Sequence, residues 1–363
     1  MGDTGGAFFK FCMQVIDMTK VLQQKSKGRA CLTDGLFSQE YNENGVNRIL
    51  LLAIVSGANV QETYDLVSKV LKLMNLKILN CKKIIHTGDQ KYTNIVTGCG
   101  AHTSSFPSPV CLIFHKNLGD SCPKLRDFGM QRRDFAKFKT GKLAAAKCNN
   151  VINDPLVPCD DDEKIIDHCP PPELHLLLRS FNKLWKDMSP LWADLSVDDN
   201  DPAKAFAVQL NIVAASYHGG DFKGNECKKI LSSLDKLQQV LPAELSDYMV
   251  CFRHLTNIVS KCFAVVGPKD DSYLKDLEDF QESTKKVGAT TPTIHSIAHH
   301  IKIWFERNGT TFGLGLYSEQ AGEAVHYDFE DRVYTAAYKR IESHPQHAVK
   351  LLEAVAVYNA DHV

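Results

Sequence analysis

The chain has 363 residues, 44% of them hydrophobic and 23% charged, the balance of a globular protein of about two domains or of one domain with a large insertion. Lys and Arg number 42 against 43 Asp and Glu, so no global basic excess marks a nucleic-acid binder and any such surface must be a local patch. The apolar run "ILLLAIV" (Ile49–Val55) is too short to cross a bilayer, no secretion signal is legible, and the 12 scattered cysteines, without a C-x-x-C, read as reduced thiols rather than a disulfide framework.

In chain order, "AFFKFCMQVI" (Ala7–Ile16) and "RILLLAIV" (Arg48–Val55) are β-prone runs bounded by turn-rich or polar sequence. "NVQETYDLVSKVLKLMNL" (Asn59–Leu76) carries apolar residues at helical spacing, "KKIIHTGD" (Lys82–Asp89) reads as a short strand, "QKYTNIVTGCG" as a helix, and "PVCLIF" (Pro109–Phe114) as one more strand. Strands and helices in that order predict an α/β layer. After about Phe114 the pattern becomes almost purely helical, with "CPPPELH" a helix entry and the acid-rich "VPCDDDEKIIDHCPPP" a connecting loop.

Several residues invite chemistry, each beside a plainer reading. Asp89, at the end of an expected strand, suits a catalytic carboxylate, although an N-cap for the helix that follows is the plainer reading. Asp3 in "MGDTGGAFF" is a turn residue unless something gathers it with other acids. "HSIAHH" puts His295 and His299 one helical turn apart with His300 adjacent, a zinc-compatible set, although Ser296 stands where H-E-x-x-H needs its base. "KLRDFGMQRRDFAKFKTGKLAAAK" interleaves Lys124, Arg126, Arg132, Arg133, Lys137, Lys139 and Lys142 with phenylalanines, a phosphate-gripping surface or a solvated basic helix. In "GLYSEQAGEAVHYDF", Glu319, Glu323 and His326 share one side of an expected helix, as a solvated face or as carboxylates around a cation. Glu323-x-x-His326 is also the pair used in di-iron bundles, but a convincing second copy is lacking.

The ordered blocks "GDTGGAFFKFC", "GDQKYTNIV", "SFPSPVC", "PPELHLLLRSFNKLW", "YHGGDFKGNECKKIL", "IHSIAHHIKIWFERNG" and "GLGLYSEQAGEAVHYDF" together resemble the catalytic core of the Transib transposases and the V(D)J recombinase catalytic subunit, closest to transposon-derived proteins of invertebrates. The resemblance implies an α/β plus α fold: an RNase H-like core (1–114), incomplete at its N-terminus, a large helical insertion (115–314), and C-terminal helices (315–363) completing the core. It implies an Asp-Asp-Glu site of Asp3, Asp89 and Glu323, with Glu319 as the alternative glutamate, holding Mg²⁺ or Mn²⁺ for two-metal cleavage and transfer of DNA strands. It further implies a zinc tie through Cys111, His295 and His300, with Ser108 in place of a further cysteine, so zinc binding is expected to be weak or lost unless His299 or Cys99 substitutes. DNA as partner, a homodimer and nuclear residence follow from the same analogy, with no membrane or small-molecule substrate. Only two residues precede Asp3, so the strand that should carry it is expected to be missing. The chain is expected to be a truncated, weakly active or inactive product, with a non-catalytic DNA- or protein-binding remnant as the alternative.

Overall fold

Helix signals in the sequence have clear physical origins, and the computed structural model places helices there. It describes residues 2–5, 8–13, 50–56, 62–75, 83–196, 201–212, 221–318, 353–356 and 358–359. Helix α1 (Tyr64–Met74) starts at Thr63, whose side chain accepts from the Leu66 N–H, and α2 (Gln90–Thr97) starts at Asp89 in the same way. Helix α3 (Phe128–Lys139) is capped by Asp127. The long α4 (Glu173–Leu195) buries Leu176, Leu177, Phe181, Leu184, Trp185, Met188 and Trp192 along one stripe. Against it pack α5 (Pro202–Gln209), α6 (Gly224–Leu231) and α8 (Ser246–Cys262); α7 (Leu234–Val240) joins α6 to α8. Helix α9 (Ser272–Lys286) lies along α8. Phe181, Trp185, Phe206, Phe222 and Phe252 form an aromatic centre, with ring centroids 5.3 Å apart for Phe181–Phe252 and 5.5 Å for Trp185–Phe222.

Among the described residues the only sheet is a three-stranded antiparallel meander, β1 (Gly2–Gly5), β2 (Phe8–Met13) and β3 (Leu50–Ser56), in that order. Asp3 is itself a strand residue, opposite Lys10. It is not the turn residue that its glycine neighbours suggested. The two apolar runs Ala7–Ile16 and Arg48–Val55 contain β2 and β3.

The expected RNase H-like α/β core is corrected. The described fold is mostly helical, and two strands needed for that core are not formed. Residues 83–89 carry no ladder; the His86 N–H donates instead to the His168 carbonyl at 2.8 Å. Residues 109–114 make only an isolated bridge, Cys111 to Leu125, which closes a loop instead of extending a sheet. Short β-branched runs bordered by Gly and Pro are strands only when a neighbour offers a ladder.

One buried acid couples this body to pH. Glu173, in the first turn of α4, is fully enclosed and accepts a hydrogen bond from the Ser318 hydroxyl. Burial pushes its carboxyl up to about 7. Because the folded group holds its proton above the ordinary carboxylate range, stability is expected to fall as pH rises from about 4.5 to 7 and then level off. The full span amounts to about 3 kcal/mol. Urea midpoints measured across that window should decline in the wild type and flatten in Glu173→Gln; parallel curves would assign the slope to other groups.

Candidate metal centre

The site is built on a hairpin-like loop and a distorted helix. Leu112 N–H donates to the Lys124 carbonyl at 2.9 Å and Arg126 N–H to the Val110 carbonyl at 2.8 Å, so residues 110–112 run beside 124–126 and the loop between them returns Cys122 toward Cys111. Ser108 Oγ accepts from the N–H groups of both Val110 and Cys111 at 3.1 Å, shaping the turn that presents Cys111. On the other side, Thr291 caps a helical turn (Pro292–His295) with proline at its first position. A π-helical turn (Ser296–His300) follows and leads into α10 (Ile301–Asn308).

The π-turn determines which histidines meet. In a regular α-helix, positions five apart sit about 140° apart around the axis. Here the Ile301 N–H donates to the Ser296 carbonyl, an i to i−5 bond, and the widened turn brings His295 and His300 to one place. His295 Nε2 lies 3.4 Å and His300 Nε2 3.3 Å from Cys111 Sγ. Cys111 Sγ, Cys122 Sγ and an imidazole nitrogen of His300 lie within 4.8 Å of one another. Tetrahedral zinc, with Zn–S about 2.3 Å and Zn–N about 2.05 Å, holds sulfur and nitrogen ligands about 3.5 Å apart. The two S···N distances match.

Both imidazoles are oriented from behind. His295 Nδ1 is 3.2 Å from the Leu118 carbonyl, so Nδ1 carries the hydrogen and Nε2 presents its lone pair. His300 Nδ1 is 3.0 Å from Ser296 Oγ, which leaves Nε2 toward Cys111. Cys111 and His295 are almost completely buried, and His300 is nearly so. A hydrogen bond from Cys122, together with the adjacent His300 and His295, holds the Cys111 thiol well below the ordinary thiol range despite its burial. The same hydrogen bond, with burial, pushes Cys122 up. Cys111 is thus poised as a thiolate, the form that binds metals, and an ion would displace the Cys122 proton.

Gln281 Nε2 donates to the Gly119 carbonyl at 2.8 Å and contacts His299 Nε2 at 3.0 Å, which draws His299 into the packing of the loop on α9. Cys99 Sγ accepts from Gln131 Nε2 at 3.0 Å and is not in the group formed by Cys111, Cys122 and His300. The side chain that joins Cys111 and His300 in a group able to hold a metal is Cys122. No motif in the sequence pointed to Cys122, because eleven residues separate it from Cys111 and the loop closure that unites them is tertiary. Its role gives a direct contrast. Ser108→Ala should keep the bound metal and lose about 1 kcal/mol for its backbone caps. Cys122→Ser should weaken zinc by at least about tenfold in competition with a chromophoric chelator. Equal metal affinity in the two variants would exclude Cys122.

Of the other predicted residues, Asp89 serves as N-cap: its Oδ1 accepts from the Tyr92 N–H at 2.8 Å. Gly88 before it is required by close approach, since a Cβ there would meet the Tyr92 ring at 2.6 Å. Asp3 lies on β1, and its side chain is outside the described set. Glu319, Glu323 and His326 lie outside the described residues.

Arg126 is corrected as a DNA-contact residue. It is fully buried, with its donors on the Cys111 and Asn149 carbonyls and Gln131 Oε1. Arg132, Arg133 and Lys137 pair with Asp161, Asp127 and Asp134. Lys124, Lys139 and Lys142 are exposed and hold no ion pair among the described residues.

Two groups of side chains able to hold a metal are therefore present among the described residues, this one and Cys159, Glu163 and His168. No described helix is long and apolar enough to cross a membrane. No family model and no curated protein matches the chain.

Proposed function

We propose that this chain is a transposase-derived protein that binds DNA, with a zinc ion tying the 108–126 loop to the helical body through Cys111, Cys122, His295 and His300. One observation carries the reading: Cys111, His295 and His300, residues 184 and 189 positions apart, converge as the resemblance to Transib-type transposases implies. Two thiolates and two imidazoles suit zinc over Mg²⁺ or Ca²⁺, which prefer oxygen. The tie is structural, holding two distant segments in register.

In this reading Asp3, Asp89 and Glu323 are the carboxylates of an ancestral Mg²⁺- or Mn²⁺-dependent site for DNA strand cleavage, and the polypeptide alone retains little or none of that activity. Asp89→Asn is the informative variant, because asparagine caps a helix as well as aspartate but is a weaker ligand for a hard cation. Mn²⁺ binding by titration calorimetry that vanishes in Asp89→Asn supports convergent carboxylates. Robust metal-dependent nicking that is lost in Glu323→Gln would overturn the proposed inactivity. Nuclear residence and homodimeric action on paired DNA ends belong to the same proposal.

A second reading, a non-catalytic DNA-binding remnant, is favoured by the unpaired, exposed Lys124, Lys139 and Lys142. It requires DNA affinity that falls steeply with salt and persists in EDTA-free, Mg²⁺-free buffer. Triple substitution of those lysines by alanine should weaken binding and flatten the salt slope by about 2–3. Binding that depends on Mg²⁺ and ignores the three lysines would exclude it.

A further inference from the structure

We propose that Cys159, Glu163 and His168 form a second, solvent-accessible site for a borderline divalent cation such as Zn²⁺ or Co²⁺. The site is separate from the buried tie and independent of the DNA reading. The ligand atoms of the three residues lie within 4.8 Å of one another.

Protons join the three groups, Glu163 accepting from the Cys159 thiol and pairing with His168, and a cation would take the place of those protons. His168 Nδ1 is 3.3 Å from the Ile84 carbonyl, which turns Nε2 outward. What it faces is Glu163 Oε1, at 3.1 Å. A proton on Nε2 makes this contact a hydrogen bond, and a cation bound by both groups would replace that proton. The other Glu163 oxygen is already engaged, accepting from the Asp160 N–H at 2.7 Å. Oε1 is thereby aimed into the space shared with His168 and Cys159. Thiolate, carboxylate and neutral imidazole together carry two negative charges and neutralise a divalent ion, leaving a position open to water.

The frame around the three residues is preorganised. Phe128 N–H donates to the Glu163 carbonyl at 3.1 Å and Gly129 N–H to the Asp161 carbonyl at 2.9 Å, clamping the acid-rich loop to the start of α3. A Cβ at Gly129 would meet Asp161 at 2.9 Å, so the clamp depends on that glycine. Arg132 Nη2 holds the Cys159 carbonyl at 2.6 Å, and the Phe128 ring meets the His168 ring edge-on at 5.8 Å. The Glu163 side chain is 41% exposed while that of His168 is 10% exposed, so the group opens to solvent on the carboxylate side. Burial and the nearby Glu163 push the Cys159 thiol up to about 12, and an arriving cation would reverse this by taking the thiolate and releasing the proton to water.

The test uses purified full-length protein with its tight metal in place, titrated with Co²⁺ at neutral pH. Wild type should take up one additional equivalent with a near-ultraviolet thiolate-to-cobalt charge-transfer band. That band should be absent in Cys159→Ser, and affinity should drop at least tenfold in Glu163→Gln, with thermal melting of the metal-untreated variants unchanged. Cys122→Ser should retain a Cys159-dependent band, which separates this site from the buried one. No additional equivalent in the wild type, or uptake identical in Cys159→Ser and Glu163→Gln, overturns the proposal and leaves the trio a proton-bridged His–Glu pair beside a thiol.

Discussion

Cys111→Ser is expected to abolish stoichiometric zinc and to destabilise the protein by about 3 kcal/mol or more, because loss of a structural metal belongs to the few mechanisms that exceed ordinary point-mutation effects. For a helical body of this size that is a Tm loss on the order of 10 °C. The reason is the position of the sulfur. Cys111 touches both His295 and His300, so its sulfur joins the loop to the two imidazoles at once. A serine hydroxyl is a poor zinc ligand, and without the ion the near-completely buried His295 and His300 lose their common partner. Elemental analysis and differential scanning calorimetry on wild type, chelated wild type and Cys111→Ser check this. The last two should melt together. A variant that keeps one zinc and the wild-type Tm would remove the centre as a structural element.

Arg126→Ala should rank with it. Arg126 is 0% exposed, and its guanidinium donates to the Cys111 carbonyl at 3.2 Å, the Asn149 carbonyl at 2.8 Å and Gln131 Oε1 at 3.3 Å. Truncation leaves two buried acceptors and a part-buried one without donors, and a cavity where the side chain lay, an expected loss of about 3–5 kcal/mol. Lysine does not rescue it, because a point charge cannot serve three acceptors placed for a planar fork. The loss should reach the metal as well, since the Cys111 carbonyl is one of the three. Zinc off-rates should rise in Arg126→Ala, whereas Lys139→Ala should leave both stability and zinc unchanged. Arg126→Ala with native denaturant midpoint and native zinc off-rate would refute the bracing role.

The helices were readable because their causes are local. Caps at Thr63, Asp89, Asp127 and Thr291 and the apolar stripe of α4 all lie within a few residues of what they determine. The strands expected at 82–89 and 109–114 failed for the opposite reason. Apolar β-prone residues there are satisfied by a long-range contact to His168 and by a loop-closing bridge to Leu125, and neither is written in the segments themselves. The candidate metal centre was half legible. Cys111, His295 and His300 followed from the resemblance, but helical periodicity paired His295 with His299, since a 3.6-residue count cannot foresee a π-turn. Arg126 was misplaced because a basic run says nothing about which of its members points inward.

The π-turn has a consequence beyond ligand placement. It adds one residue to the helical count between Thr291 and Gly309, and α10 beyond it is rotated by about 100° relative to an uninterrupted helix. Trp304 and Phe305, both within 2% of full burial, depend on that rotation to face the core. Deleting Ala298 would set His295 and the present His300 four apart, a spacing at which a plain α-helix also offers two imidazoles to one ion. The same deletion would leave Trp304 and Phe305 at their present angle to His300, because all three then lie on one unbroken α-helix. The extra residue works as slack taken up within one turn, so that His295 before it and His300, Trp304 and Phe305 after it keep the angular relation of a plain helix one residue shorter.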